Sequence, residues 1–164
     1  HVRGLVRELG EEINAVRREL LSLKKAGLLT SKKDGNKIMY TVDKQCPIVW
    51  ELRSLFFKES ETGKLLYDRF LPIEGISVAI VTEAFLKKRY VDKTDIDMLF
   101  IGDMKIRELS AAVSSLEKDM GRIIKFVAMK VEDFEFGKKK RDPLLINALM
   151  RDKVILLGKD SDLL

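Results

Sequence analysis

Residues 12–42, EINAVRRELLSLKKAGLLTSKKDGNKIMYTV, contain the pattern that decides the fold of the first part of the chain. Apolar residues recur in its first half at Ile13, Val16, Leu20 and Leu23. This helical spacing predicts an amphipathic helix with one buried stripe. Gly27 follows the last helical residues and suits a position in the C-terminal cap. The sequence therefore predicts a helix that begins near Glu12 and ends just before Gly27.

The second half of this stretch predicts a β-hairpin. Residues 28–31 and 38–42 form the two predicted strands, because Ile38, Tyr40 and Val42 favour β-structure. Residues 32–37, KKDGNK, form the predicted turn. Its Asp-Gly pair favours a turn because both residue types tolerate a positive φ. We therefore expect a helix followed at once by a short, basic hairpin.

A further helix is predicted just before this stretch. Val2, Leu5, Val6 and Leu9 lie on one side of residues 2–9, and Gly10 ends the pattern. The acidic pair Glu11-Glu12 favours the start of the next helix through its dipole. Two helices joined by a short turn are in the order of a helix-turn-helix.

The exposed face of the second helix carries side chains that can recognise DNA. The major groove of DNA admits a helix, and Arg and Asn side chains pair with base edges there. We expect Arg18 to contact a base, while lysines of the hairpin neutralise phosphates. The alternative is a solvated helix beside an ordinary hairpin. The candidate DNA-binding residues are Asn14, Ala15, Arg17, Arg18, Lys25, Lys32, Lys33, Asn36 and Lys37.

Composition excludes several classes of protein and of site. The chain is 46% hydrophobic, which places it outside the range of disordered proteins. No apolar run reaches the length of a membrane span, and no secretory signal opens the chain. The single cysteine, Cys46, excludes an internal disulfide, and the single histidine argues against a histidine-based site. We therefore expect a cytoplasmic protein without a membrane partner.

The positive charge is concentrated in the first part of the chain. The net charge is +5, and residues 1–72 hold 14 Lys or Arg against 10 Asp or Glu. Residues 73–164 are nearly balanced, with 17 against 16. This distribution indicates a polyanionic partner for the part that contains the predicted helices and hairpin.

Apolar residues after the hairpin exceed what one small domain face needs, so they could bury against a second copy or against the next domain. Of these we expect a homodimer. They are Val49, Trp50, Leu55, Phe56 and Phe57. The polar residues that follow predict a linker. We therefore expect a first domain at 1–58, a linker with a short helix at 59–75, and a second domain at 76–164.

The second domain alternates predicted strands and helices, which is typical of an α/β or α+β fold. We predict strands at 76–81, 95–101, 123–131 and 154–157 and helices at 105–120 and 143–151. The basic run 138–141 is predicted to be a solvated loop, with a phosphate contact as the alternative. Overall the sequence predicts an α+β protein.

Two aspartates at the start of one predicted strand form a candidate metal site. Strand side chains alternate, so Asp95 and Asp97 are expected on one face. Two carboxylates can hold Mg²⁺ weakly, with water completing the coordination. A metal held in this way can bind a nucleotide triphosphate and support phosphoryl transfer. The alternative is an acidic strand end that faces water.

Residues 2–58 resemble an ArsR-like winged-helix transcription regulator. The resemblance rests on Glu19-Leu20, the run AGLL at 26–29, the Lys-rich turn and Tyr40, in that order. It implies that the helix after Glu12 is the recognition helix and the hairpin is the wing. Members of the family have a further helix before residues 2–9, so we expect part of the core to be exposed here.

Residues 76–164 resemble a minimal nucleotidyltransferase of the DNA-polymerase-β-like class, through DIDMLFIGD at 95–103 and GRIIKFVAMKVEDF at 121–134. The resemblance implies metal binding by Asp95 and Asp97. The family's Gly-Ser phosphate loop falls on Glu83-Ala84, and its third acid falls near Lys125. Lys125 is expected to pair with Asp95 or Asp97, with phosphate binding in an altered site as the alternative. We therefore expect an inactive domain for dimerisation or for sensing a nucleotide or protein effector. The alternative is an active enzyme that modifies a protein or RNA hydroxyl.

Overall fold

A computed structural model describes residues 1–163 of the chain, which form an α+β protein. The chain divides into two compact units. Unit 1 is His1–Arg53, and unit 2 begins at Ser54 and is described up to residue 163. The division lies inside a helix, five residues before the boundary predicted at residue 58. No helix among the described residues is long and apolar enough to cross a bilayer.

Unit 1 consists of two helices and a hairpin. Helix α1 (Val2–Leu9) has the predicted bounds, and Gly10 ends it in the left-handed conformation. Helix α2 (Ile13–Lys25) ends in a Schellman motif, in which the N–H of Leu28 donates to the carbonyl of Leu23. The hairpin pairs β1 (Leu29–Asp34) with β2 (Lys37–Val42). The predicted order of elements is therefore confirmed in this unit.

The apolar residues of unit 1 are incompletely covered. Only Val16 and Leu20 are buried, and α1 has no buried residue. Leu9 leaves 61% of its surface exposed. Unit 1 therefore leaves part of its apolar surface exposed to solvent.

The segment predicted as a linker is largely helical. Helix α3 (Val49–Glu59) is followed by α4 (Glu61–Phe70), and the Ser60 hydroxyl accepts the N–H of Gly63 at 3.1 Å. Gly63 is required because a Cβ there would collide with the carbonyl of Phe57. Leu66 and Phe70 are fully buried. Residues 59–75 are therefore a packed part of unit 2 rather than a free linker.

Unit 2 is a four-stranded sheet with helices on both faces. Its strands are β3 (Ile76–Thr82), β4 (Met98–Gly102), β5 (Phe126–Met129) and β6 (Lys153–Leu157), in the order β5-β4-β3-β6. Strand β3 is antiparallel to both neighbours, and β4 is parallel to β5. The continuous apolar runs of β3 and β4 suit the centre of such a sheet.

The two faces of this sheet have separate cores. One core packs α4 and α6 (Ile106–Met120) against residues such as Phe100. The other packs α7 (Val131–Lys140) and α8 (Pro143–Met150) against residues such as Leu99. Unit 2 is therefore a three-layer arrangement of helix, sheet and helix.

Several predicted bounds in unit 2 are wrong. The second strand begins at Met98 rather than at residue 95, and the third spans only Phe126–Met129. The basic run 138–141 is the last turn and cap of α7 rather than a loop, since the helix dipole favours cations there. Short helix α5 (Glu83–Lys87) and a 3₁₀ turn at Asp160–Leu163 were not predicted.

Candidate functional site

The outer face of α2 presents the predicted DNA-binding side chains to solvent. Asn14, Arg17, Arg18 and Lys25 are exposed, and only Ala15 is half-buried. Val16 and Leu20 anchor the opposite face. The carboxylate of Glu19 lies 3.6 Å from Arg18, but both side chains are largely exposed, so this pair is weak. The Arg18 guanidinium is therefore available for another partner.

Glu12 caps α2 with its own side chain. One carboxylate oxygen accepts the N–H groups of Asn14 at 2.9 Å and Ala15 at 3.0 Å. This geometry matches the expected support of the helix dipole by an acidic residue. The backbone donors that could hold a phosphate at this helix end are therefore occupied by Glu12.

The hairpin separates its lysines onto two faces. Cross-strand partners share a face, so Lys33 lies with Ile38, while Lys32 lies on the other face with Met39. Lys37 lies opposite Asp34 on the neighbouring strand and shares the face of Lys32. The prediction that residues 32–37 form one turn is wrong, because the strands continue to Asp34 and resume at Lys37. Only Gly35 and Asn36 form the loop, and both are exposed.

A hydrogen bond connects α2 to one face of the hairpin. The Lys24 ammonium donates to the Ser31 hydroxyl at 2.7 Å. Ser31 lies on the same face as Lys33, two residues along the strand. The face that carries Lys33 is therefore the one turned toward the end of α2.

Asp95 and Asp97 lie in irregular structure just before β4 and not in a strand, so alternation does not place them on one face. Asp95 is 6% exposed. One of its oxygens accepts from the Arg151 guanidinium at 2.8 Å. The other accepts the N–H groups of Val91 at 2.6 Å and Asp92 at 2.8 Å. Each oxygen of Asp95 therefore has a donor from the protein.

Asp97 is fully buried and equally saturated. One oxygen pairs with the Arg122 guanidinium. The other accepts from the Tyr90 hydroxyl and from the N–H of Lys125 at 2.9 Å. The pKa of Tyr90 is raised to about 12, mainly by partial burial and next by the hydrogen bond to Asp97. Tyr90 therefore remains a neutral donor over the physiological range of pH.

The cationic partners of the two aspartates come from opposite layers of unit 2. Arg122 follows α6, whose apolar face packs in one core, and Arg151 follows α8, which packs in the other. The guanidinium carbon of Arg122 also lies 4.8 Å from the centroid of the Phe85 ring. The aspartates therefore hold two helical layers to the segment that precedes β4.

The donor set does not fit Mg²⁺. All four carboxylate oxygens of the pair are occupied by guanidinium, hydroxyl or N–H donors, whereas a hard cation needs free oxygen ligands. Within residues 1–163, no group of three or more acidic, histidine or cysteine side chains is arranged to hold a metal ion. Asp95 and Asp97 are therefore placed as members of an ionic network, which we call the aspartate–arginine network (Tyr90, Asp95, Asp97, Arg122 and Arg151).

The prediction that Lys125 forms an ion pair with Asp95 or Asp97 is wrong. Its ammonium lies 4.1 Å from the centroid of the Tyr90 ring, and only its backbone N–H reaches Asp97. The charges are balanced instead by Arg122 and Arg151, which sequence reasoning missed. These residues are 25 and 56 positions away from the aspartates that they contact. No local pattern marks such pairs.

The segment on which the resemblance places a phosphate loop is a helix. Glu83 begins α5 and pairs with Lys87 one turn later, and Ala84 is buried. A cavity beside Glu83 and Asp95 has a volume of only about 10 Å³. This is room for about one water molecule and not for a nucleotide.

The chain thus offers a cationic surface on unit 1 and a closed ionic network in unit 2. No protein family, curated protein or solved structure matches this chain.

Proposed function

We propose that unit 1 is a winged-helix domain that binds duplex DNA and that the chain acts as a transcription regulator. In this proposal α2 enters the major groove, and the hairpin is the wing. The order of helix, turn, helix and hairpin supports it, as does the width of a helix relative to the groove. Such a role would place the protein in the cytoplasm of a prokaryotic cell.

One observation carries this proposal. The cations of the α2 face and the hairpin are exposed and, apart from the weak Arg18 contact, have no ion-pair partner in the described part of the chain. They are Arg17, Lys25, Lys32, Lys33 and Lys37. Unpaired cations on one small unit repel one another, and a polyanion relieves that repulsion while releasing its own counterions.

The side chains divide into two roles. Arg18 and Asn14 lie about one turn apart on the outer face of α2, where base edges would be reached. Arg17, Lys25 and the hairpin lysines would mostly contact phosphates, with Asn36 at the tip of the loop. Ala15 would contribute only its methyl group and backbone.

We also propose that unit 2 is a nucleotidyltransferase-like domain without transferase activity. The saturated carboxylates and the helical segment at Glu83 support this proposal, because neither leaves a place for a metal–triphosphate complex. The small cavity beside Asp95 does not favour nucleotide sensing there. Dimerisation or binding of a protein effector is then the role that we favour for unit 2. The alternative, an active nucleotidyltransferase, would require this network to open.

Apolar side chains on α3 support a homodimer. Trp50, Leu55 and Phe56 leave 45%, 55% and 69% of their surfaces exposed. Phe57 does not belong to this set, since its ring packs edge-on against Phe85 with centroids 6.4 Å apart. Val49 is half-buried. Regulators that bind two half-sites commonly act as dimers, which agrees with an apolar contact surface of this kind.

Selection from a random duplex library with the full chain tests the proposed function. We expect enrichment of a common sequence and an affinity that falls steeply as salt is raised from 50 to 200 mM, by about 10³-fold or more for six phosphate contacts. A matched single-stranded library and a library competed with excess heparin serve as controls. Absence of salt-dependent binding to any duplex would contradict the proposal.

A further inference from the structure

Two segments of unit 2 meet beside the aspartate–arginine network and form one exposed surface. The loop 89–93 follows α5 and its cap, and residues 122–125 directly precede β5. The Tyr90 hydroxyl and the N–H of Lys125 donate to the same oxygen of Asp97, and the Lys125 ammonium lies 4.1 Å from the centroid of the Tyr90 ring. We call this the Tyr90 surface, and its exposed members are Arg89, Tyr90, Val91, Lys93, Ile123 and Lys125.

The Tyr90 surface carries a net positive charge. None of its cations, Arg89, Lys93 and Lys125, forms an ion pair within residues 1–163. The two aspartates of the network are already paired with arginines. Asp92 is the one carboxylate of the loop, and it accepts the N–H and the hydroxyl of Thr94, each at 2.9 Å. A positive surface of this kind attracts a negatively charged partner.

Apolar side chains lie among these cations. Val91 and Ile123 leave 70% and 78% of their surfaces exposed, and Tyr90 leaves 41%. Single apolar residues on a surface are ordinary, whereas several within one small area are typical of a surface that another molecule covers. The Tyr90 surface therefore offers both charge and apolar area to a partner.

The network holds the loop in place before any partner binds. The N–H groups of Val91 and Asp92 donate to one oxygen of Asp95 at 2.6 and 2.8 Å. The N–H of Arg89 donates to the carbonyl of Ala84 at 3.1 Å. A surface that is already fixed loses little conformational entropy on binding.

We propose that the Tyr90 surface binds an acidic segment of a protein partner, with apolar side chains of that segment packed on Val91 and Ile123. Carboxylates of the segment pair with Arg89, Lys93 and Lys125, so the two surfaces are complementary in charge. This inference rests on the proposed role of unit 2 in binding a protein effector, and it does not depend on DNA binding by unit 1.

Single-stranded nucleic acid is also a polyanion, but it fits this surface less well. Proteins bind single strands by stacking bases on aromatic rings beside a positively charged groove. Tyr90 is the one aromatic residue of the surface, and the Lys125 ammonium already lies against its ring. Val91 and Ile123 are aliphatic and offer no ring for stacking. The apolar area therefore favours a peptide.

The test first compares two double variants of the full chain that lose the same charge. Arg89→Ala/Lys93→Ala removes two cations of the Tyr90 surface, and Arg107→Ala/Lys118→Ala removes two exposed cations of α6. The probe is a fluorescent random copolymer of glutamate and tyrosine, whose binding is measured by anisotropy. We expect about tenfold weaker binding in the first variant alone, because two ion pairs at the edge of an interface account for a change of about that size.

A second comparison removes apolar area and leaves the charge unchanged. Val91→Ser/Ile123→Ser truncates the apolar side chains of the Tyr90 surface, and Ile106→Ser/Val131→Ser does the same at exposed sites elsewhere in unit 2. The first of these should bind the copolymer about tenfold more weakly and lose the wild type's preference for the copolymer over poly-glutamate. All four variants should keep the unfolding midpoint of the wild type, since the side chains that change are exposed.

Equal binding of the copolymer by each variant of the Tyr90 surface and its control would overturn the inference, as would a wild type that does not bind the copolymer. Poly-uridylate serves as the single-stranded nucleic acid, and a loss of binding confined to it would assign the surface to that class and also overturn the inference. Binding to the selected duplex should be unchanged in all four variants. A wild type that binds the copolymer through this surface and binds no duplex would support the inference while the proposed DNA binding fails.

Discussion

Asp95 accepts a hydrogen bond from Arg151 at 2.8 Å, and the pair joins the segment before β4 to the residue that follows α8. The carboxylate is almost fully buried, whereas the Arg151 side chain is 32% exposed. A resemblance to nucleotidyltransferases implies a metal ligand at Asp95, but its contacts are those of a structural ion pair. Its importance for stability can be measured directly.

We expect Arg151→Met to lower the free energy of unfolding by about 2 kcal/mol, since it leaves a buried carboxylate without its cation. The double variant Asp95→Asn/Arg151→Met should recover part of that loss, because no buried charge is then left unpaired. Urea unfolding followed by circular dichroism gives these values. Arg107→Met, at an exposed site, is the control and should change stability by no more than about 0.5 kcal/mol. Equal stabilities of the wild type and Arg151→Met would contradict the role of this pair.

We expect Tyr90 to lose its proton at a higher pH than an ordinary tyrosine, because the pKa of its hydroxyl is raised from 10.0 to about 12. The folded state holds this proton more tightly than the unfolded state, so its stabilising effect is complete below pH 10 and is lost as the pH rises from 10 to 12. Tyr90→Phe should remove the component of phenolate absorbance centred near pH 12. It should also flatten the loss of stability over that range relative to the wild type. An unchanged titration curve in Tyr90→Phe would show that the absorbance change near pH 12 comes from a different tyrosine.

Nucleotide transfer should be absent from the wild-type chain. Radiolabelled ATP, GTP, CTP and UTP are offered in turn with Mg²⁺ or Mn²⁺, and label is sought on the chain, on extract protein and on RNA. We expect none, because the oxygens of Asp95 and Asp97 are already occupied and Glu83 begins a helix. Label that disappears in Asp95→Asn or Asp97→Asn would establish the alternative function of unit 2.

Arg18 and Lys33 should affect DNA binding in different ways. Arg18→Ala is expected to weaken binding to the selected duplex by about 1–3 kcal/mol and to relax the preference at one base position. Lys33→Ala should weaken all sequences alike and reduce the salt slope by about 0.9. The comparison is made by anisotropy on the selected duplex and on single-base variants of it. Loss of preference in Lys33→Ala with no change in Arg18→Ala would reverse the assignment of these two residues.

A homodimer is expected at micromolar concentration in sedimentation. Phe56→Ser should shift the chain toward monomer, since Phe56 is the most exposed aromatic side chain of α3. Ile123→Ser is the matched control in the same unit, because Ile123 is 78% exposed and lies outside α3. A monomeric wild type would remove both the dimer and the argument for paired half-sites.

Local sequence pattern was enough to predict the elements whose signals lie within a few neighbouring residues. The bounds of α1 follow from apolar spacing and a terminal glycine, and the hairpin follows from Asp34-Gly35 between β-favouring residues. Helix α5 was missed because its five residues are too short to show a period. The strand assigned to Asp95 was wrong because a polar alternation at the start of a strand resembles the strand itself.

The sequence by itself determined the α+β class, the order of elements in unit 1 and the concentration of positive charge in the first part of the chain. Tertiary structure alone decided which groups meet, namely Arg122 with Asp97 and Arg151 with Asp95. The physical reason is the separation along the chain over which each interaction acts. Periodicity and capping act over a few residues, whereas buried charges are paired by whichever cations the packed layers bring within hydrogen-bond distance.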